Sequence, residues 1–196
     1  MRRRLAAAIV ILEMLVSSGC LFDPRDPEPP DTGEENDWVV PNSPKDVFLN
    51  LASGLASNKD SNYEMSLGTD FTFIPRDADL AQLGAAAFAD WTKAVEMEVL
   101  GRIKTLYVSG RKVQFGDENG TFEKEDVSVG YAVYEGIYQI TLDRGDGSEK
   151  ETYAGIARFT VEQGTTGYVL TKWEDLEASG SFPTSGSLRG TLRASN

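Results

Sequence analysis

The chain contains no histidine, and Cys20 is the only cysteine among its 196 residues. Without histidine, no side chain titrates near neutrality unless its surroundings shift it strongly. Ser-His-Asp and Cys-His nucleophilic systems are excluded, as are zinc sites that use imidazole. A lone cysteine closes no disulfide within the chain, so stability rests on an ordinary core. Long apolar runs are missing too: Leu5 to Ser18 is well short of the ~20 residues that span a bilayer, and it includes Glu13. Basic residues are outnumbered 31 to 19, a formal charge of −12 that disfavours binding to nucleic-acid backbones. No glycine-rich phosphate loop or dinucleotide fingerprint is present, and Asp143, Asp146 and Glu149 lack the spacing of a calcium loop. No cofactor, metal or catalytic residue is expected from these patterns.

What is present begins at the N-terminus. Arg2, Arg3 and Arg4 precede the apolar stretch, which ends in Leu15-Val16-Ser17-Ser18-Gly19-Cys20. Charged, apolar and small-residue regions in that order form an export signal. The cysteine directly after the small residues resembles the lipobox of bacterial lipoproteins. That resemblance implies acylation of the Cys20 thiol and removal of residues 1–19. The processed chain would carry 16 basic and 30 acidic residues, a net charge of −14. Its membrane contact would come from the acyl chains, at ~0.8 kcal/mol per buried methylene. Leu21 follows the cysteine in place of the aspartate that resembles an inner-membrane retention signal. The expected location is therefore the bacterial envelope, on the outer membrane where one exists.

Residues 20–42 hold five prolines and seven acidic residues, with few apolar ones. Such a stretch cannot bury enough surface to offset chain entropy, and it reads as an extended tether. Trp38, Val39 and Val40 are expected to make its first contact with the folded body.

The body, 43–177, opens with Ser43 as N-cap and Pro44 at the first helical position. Val47, Phe48, Leu51, Ala52 and Leu55 then form one helical stripe. A short helix over 61–67, a turn at Gly68-Thr69-Asp70 and a strand over 71–74 are predicted next. Leu80, Leu83, Phe88, Trp91, Val95, Val99 and Ile103 supply the buried side of a helical stretch in two pieces. From Val113 the period becomes two. Asn119-Gly120 reads as a hairpin turn. Val127, Val129, Tyr131 and Val133 share one parity, while Tyr134, Gly136, Tyr138, Ile140 and Leu142 take the other. That switch within one long strand predicts a β-bulge. Strands over 153–161 and 168–175 follow, joined by Gly164-Thr165-Thr166-Gly167. The Ser/Gly-rich tail, 178–196, is predicted to be mostly loop.

The order predicts an α+β fold, with N-terminal helices packed on a curved, mostly antiparallel sheet. The run Ser43 to Leu51 followed by Tyr63 and Asp70 to Pro75, with the closing Tyr168 to Asp175, resembles the nuclear transport factor 2-like, or SnoaL-like, cone fold. Cystatin-like and lipocalin-like sheets are the competing arrangements. The resemblance covers roughly residues 43–177. SnoaL-like cyclases pair histidine with aspartate, which this chain cannot do. Ketosteroid isomerases of that fold instead use a carboxylate base with tyrosine and protonated aspartic acid as donors. Here Asp70 with Tyr131, Tyr134 and Tyr138 supplies the residue types only, and a turn role explains Asp70 equally.

Tyr131, Tyr134, Tyr138, Trp91 and Trp173, with Tyr153 and Tyr168 beside them, are the candidate lining of a ligand pocket. Ordinary packing between sheet and helices is the alternative for the same residues. The expected function is a membrane-anchored, non-enzymatic binding or assembly module, for a small apolar ligand or an envelope protein. A carboxylate–tyrosine enzyme and a homodimerisation module are the alternatives. Replacing Cys20 with serine is expected to move the protein from the membrane to the soluble fraction. A variant that stays membrane-bound would exclude anchoring at this residue.

Overall fold

The computed structural model describes residues 38–195. The signal segment, Cys20 and residues 20–37 of the tether lie outside the described residues. The last tether residues are part of the body. Val39 N–H donates to Asn50 Oδ1 (2.9 Å), and Asn50 Nδ2 donates back to the Val39 carbonyl (2.7 Å). The Pro41 carbonyl accepts from Tyr168 N–H.

The first stripe forms α1 (Asp46–Ala56), whose Val47, Phe48, Leu51 and Leu55 are buried. Its entry differs in detail from the expected cap: Ser43 N–H donates to Asp46 Oδ2, and the Ser43 side chain makes no cap bond. Helix α2 (Asp60–Met65) follows, then strand β1 (Leu67–Ile74) and helix α3 (Asp77–Leu83). After a short turn at Ala85–Ala87 comes α4 (Lys93–Leu106). The sheet continues with β2 (Gly110–Phe115), β3 (Lys124–Ser128), β4 (Tyr131–Asp143), β5 (Glu151–Gln163) and β6 (Tyr168–Ala178). Helix α5 (Ser185–Ala194) closes the described chain.

The six strands run in the order β1-β6-β5-β4-β2, with β3 also paired to β4. All pairings are antiparallel except β1 with β6. Helices packed on one curled sheet give the α+β architecture predicted from the sequence.

Four local expectations are corrected. The parity switch before Tyr134 is a hairpin, not a bulge: Ser128 pairs with Tyr131 across Val129-Gly130, and Gly130 adopts φ 74°. The register shifts lie elsewhere: between β5 and β6 at Ile156/Ala157 and Thr160/Val161, and between β1 and β6 from Leu67 to Thr72. Asn119-Gly120 does not join two neighbouring antiparallel strands. β2 and β3 pair with opposite halves of the same β4, and residues 116–123 loop out between them. This excursion turns Phe122 into the core against Phe48 and Tyr134. Leu80 is not on the buried side of α3; it is 37% exposed, whereas Asp79 is 1% exposed. Lastly, the tail is not mostly loop. Helix α5 buries Leu188, Arg189 and Leu192, a choice invisible to periodicity because five of its ten residues are Ser, Gly or Thr.

Trp173 is the hub of the core, with ring centroids 5.0 Å from Phe159, 5.4 Å from Tyr138 and 5.5 Å from Phe115. Tilted and edge-on pairs of this kind add to the apolar area they bury. Close packing reaches the backbone at Gly54 in α1, where a Cβ would stand 2.5 Å from Tyr63 N. Gly54→Ala raises helix propensity, yet it should destabilise by about 1–3 kcal/mol, because α1 and α2 would have to separate. A lower urea midpoint checks this, and an unchanged or higher one would show that the helices can shift apart freely.

Candidate functional site

Two charged side chains share the phase of apolar stripes and are thereby driven into the core. On α4, Glu96 falls in register with Val99, Leu100 and Ile103; on α5, Arg189 falls between Leu188 and Leu192. They meet with side-chain exposures of 3% for Glu96 and 4% for Arg189. Arg189 Nη2 donates to Glu96 Oε1 (2.7 Å) and Arg189 Nε to Oε2 (3.0 Å). Tyr63 Oη donates to Glu96 Oε1 (2.8 Å) and Trp91 Nε1 to Oε2 (3.0 Å). The guanidinium carbon lies 4.2 Å from the Trp173 ring centroid and 4.6 Å from that of Phe73. Such a site combines a bidentate ion pair with two cation–π faces.

Burial alone would raise the Glu96 carboxyl; the charge and hydrogen bonds of Arg189, with those of Tyr63 and Trp91, reverse this and hold it below its usual range. Burial opposes the Arg189 charge, but Glu96 more than compensates and raises it. Tyr63 is pushed well above the ordinary phenol range by burial and by Glu96.

A second buried carboxylate, Asp175, shares the inward parity of Trp173 on β6. It accepts from Trp173 Nε1 (2.8 Å), Ser185 Oγ (2.8 Å) and Gly186 N–H (2.8 Å). Ser185 N–H donates to Tyr138 Oη (2.8 Å), and Ser187 N–H to Thr184 Oγ1 (3.2 Å). The first turn of α5 is thus satisfied by side chains. Burial raises the Asp175 carboxyl above its usual range despite Arg189 and these donors. Beside it, Thr184 Oγ1 donates to Asp79 Oδ2 (2.6 Å), which Arg76 Nε also reaches (2.8 Å).

The cavity next to Arg189 holds only about 20 Å³; Tyr63, Glu96, Phe115, Ile140, Trp173 and Leu188 are among its walls. That is room for about one water. Of the five aromatic residues selected from the sequence, Trp173 alone lines this cavity. Trp91 packs against Phe73 and Phe88, and Tyr138 against Trp173. Tyr134 belongs to the Phe48–Phe122 cluster, where burial pushes its hydroxyl up to about 12. Tyr131 is exposed beside the β3–β4 hairpin. The five are therefore mainly packing residues, distributed over separate parts of the core and its edge. Among the described residues, Tyr134 is drawn to the Phe122 insertion, while Tyr138 and Trp173 pack together near α5.

Asp70 lies within β1 rather than in a turn before it. It is exposed in an open groove of about 410 Å³ shared with Lys93, Glu162 and Thr171, and none of Tyr131, Tyr134 and Tyr138 lines that groove. The groove forms where β1 departs from β6: Leu67 and Thr72 on β1 face Leu170 and Lys172 on β6. Carboxylate–tyrosine contacts do occur, but elsewhere. Besides Glu96–Tyr63, Glu151 Oε2 accepts from both Tyr107 and Tyr153 (2.7 Å each), and its Oε1 from Arg144 Nε. Among the described residues no cluster of Asp, Glu or Cys is arranged to hold a metal ion. The sequence did carry one signal for the missed network: Glu96, a charged residue in the buried phase of the stripe that holds Val99, Leu100 and Ile103.

No family model matches the chain, and no curated protein sequence matches it. Its architecture is shared with solved structures of low identity. A candidate aromatic ring hydroxylase from Novosphingobium aromaticivorans superposes with a TM-score of 0.53 at 15% identity, over 69% of this chain and 87% of that one. A candidate scytalone dehydratase from the same organism gives 0.52 at 12%, over 71% and 89%. An NTF2-like protein with a cystatin-like fold, again from that organism, gives 0.52 at 11%, over 70% and 80%. The fold is thus the nuclear transport factor 2-like cone.

Glu96→Gln and Arg189→Met should each cost about 3–5 kcal/mol, because each leaves a buried charge without its partner. The double variant should cost clearly less than the two together, which a double-mutant cycle by urea denaturation reads. The pH dependence has two parts of opposite sign. Glu96, depressed in the fold, stabilises above its unfolded pKa, and that stability is lost as pH falls through its folded value. Asp175, raised in the fold, stabilises below its unfolded pKa, and that contribution is lost as pH rises through its folded value. Urea midpoints from roughly pH 3 to 7 should therefore show a shallower acid-side decline in Glu96→Gln, the remainder belonging to carboxylates such as Glu135 and Glu151 that are also held low. An unchanged acid limb would show that Glu96 is not the group responsible.

Proposed function

We propose that the protein is a bacterial envelope lipoprotein, acylated at Cys20 and tethered to the outer membrane, whose cone is a non-enzymatic binding or assembly module. The observation that carries this reading is the filled cone. Ligand pockets for small molecules run to roughly 300–1,000 Å³, against about 20 Å³ beside Arg189. The side chains of α5 occupy the interior that a substrate would need. Recognition on this reading uses the outside of the domain, and the partner is another envelope protein. The anchor is supported by the lipobox-like sequence and the acidic, proline-rich tether. No helix among the described residues is long and apolar enough to cross a membrane.

A specific observation favours a second reading. Asp175 is a carboxyl raised by burial, with the Tyr138 hydroxyl on the same first turn of α5. A raised carboxyl beside a tyrosine is the material of a carboxylate–tyrosine enzyme. In the closed form its hydrogen bonds are committed to Trp173, Ser185 and Gly186, so that chemistry would require α5 to leave.

A homodimer would use the exposed sheet face, where Tyr131 and Ile137 flank the Glu135–Arg158–Glu174 ion pairs. Native mass spectrometry of residues 38–196, purified without detergent, tests these readings together. The expected spectrum shows protein without a retained small molecule. A retained apolar ligand would overturn the closed-cone reading, and a bare dimer would place assembly on the sheet face.

A further inference from the structure

The Arg189 side chain sits in its surroundings as a ligand sits in a receptor. Its guanidinium is gripped end-on by both Glu96 oxygens and held between the Phe73 and Trp173 rings. Tyr63 and Trp91 fix the carboxylate from its other side. The side chains that grip the guanidinium, or fix the carboxylate that does, come from α2, β1, α4, β6 and the segment before α4, whereas the occupant comes from α5. The walls include the carboxyl groups of Glu96 and Asp175, and the occupant is the cation that Glu96 grips directly. Such an arrangement selects a planar, weakly hydrated cation over a compact ammonium.

The helix that delivers the occupant is poorly equipped to hold its place alone. Ser185, Gly186, Ser187, Gly190 and Thr191 are weak helix formers, and the buried apolar side chains are only Leu188 and Leu192. Gly186 and Gly190 are demanded by close approach: a Cβ at Gly190 would stand 2.5 Å from Phe88 Cζ. Docking of α5 therefore depends mainly on polar contacts: those of its first turn, Arg189, and, near its C-terminal end, the bonds from Arg102 to the Leu192 carbonyl and from Arg193 to the Ala89 carbonyl. Elements held this way open at lower free energy than strands in the centre of a sheet.

We propose that the cone interior is a guanidinium-binding site kept closed by the chain's own Arg189, with α5 as a releasable plug and an arginine side chain of a protein partner as the competing occupant. This rests on the module reading and supplies the chemistry by which a partner would be recognised.

The test uses full-length Arg189→Ala with ethylguanidinium, which returns every heavy atom the substitution removes. The expected result is a saturable rise in the thermal midpoint, about 3 °C at ten times the dissociation constant. Urea should give no rise, and ethylammonium a smaller one. An ethylguanidinium effect no larger than that of ethylammonium would overturn the proposal. Should Arg189→Ala fail to fold unaided, refolding with and without ethylguanidinium reads the same property. Recovery of the near-ultraviolet circular dichroism of the core supports the site, and no recovery overturns it. In the wild type, hydrogen exchange of Leu188 to Leu192 should proceed while Phe159 to Val161 on β5 stay protected. Simultaneous exchange of both would overturn the plug. A retained small molecule in the native mass spectrum would defeat the closed-cone reading while leaving the Arg189→Ala result to stand or fall separately.

Discussion

A guanidinium and a carboxylate buried among phenylalanine and tryptophan each lose hydration worth several kcal/mol. That loss is tolerable only if their geometry is excellent and their remaining hydrogen-bonding capacity is met. Arg189 and Glu96 meet both conditions through a bidentate contact, two donors from Tyr63 and Trp91, and two aromatic faces. Much else in the domain follows from satisfying this pair. Trp91 must hold its indole nitrogen at Glu96, so the segment between α3 and α4 is pinned to the core. Tyr63 must reach the same carboxylate, which brings α2 close enough to α1 that residue 54 has no space for a side chain.

The first turn of α5 imposes a second set of demands, linked to the first through Trp173. Its amides need acceptors, and Asp175, Tyr138 and Thr184 provide them. Asp175 in turn receives the Trp173 indole, whose ring forms one face of the Arg189 site. A helix with little intrinsic propensity and little apolar surface is thereby fastened by hydrogen bonds in a low-dielectric setting, where each is worth more than in water. The same bonds confine the helix to one placement. Polar networks of this kind specify position more than they add stability, since replacing a buried pair by apolar groups is often close to neutral.

The functional consequence is a cone whose interior is occupied from within. Solved proteins that share the architecture include candidate enzymes and proteins described only by fold, at identities of 11–15%, so the fold alone assigns no chemistry. In this chain the cone has a definite content. Its charged groups engage one another, and its open features lie outside: the groove at Asp70 and Lys93, and the sheet face around Ile137.

The α+β architecture was legible in the sequence because it depends on local periodicity: the stripe at Val47 to Leu55, the period of two after Val113, and the Gly164 to Gly167 turn. The charge balance was legible for a similar reason, being a property of composition. The lengths of sequence around Val129 and Asn119 were misread because a parity change or a turn signal does not say which strands pair. The network at the centre stayed hidden for a deeper reason. Glu96 and Arg189 lie 93 residues apart, and each looks like a surface charge until the other is beside it. The sequence alone determined the helical stripe of α1, the period of two in the later strands, and that neither histidine nor a disulfide within the chain is available. Only the tertiary structure decided that the Ser/Gly-rich tail becomes a helix and fills the cone, because burying a charge is favourable only where a distant partner meets it.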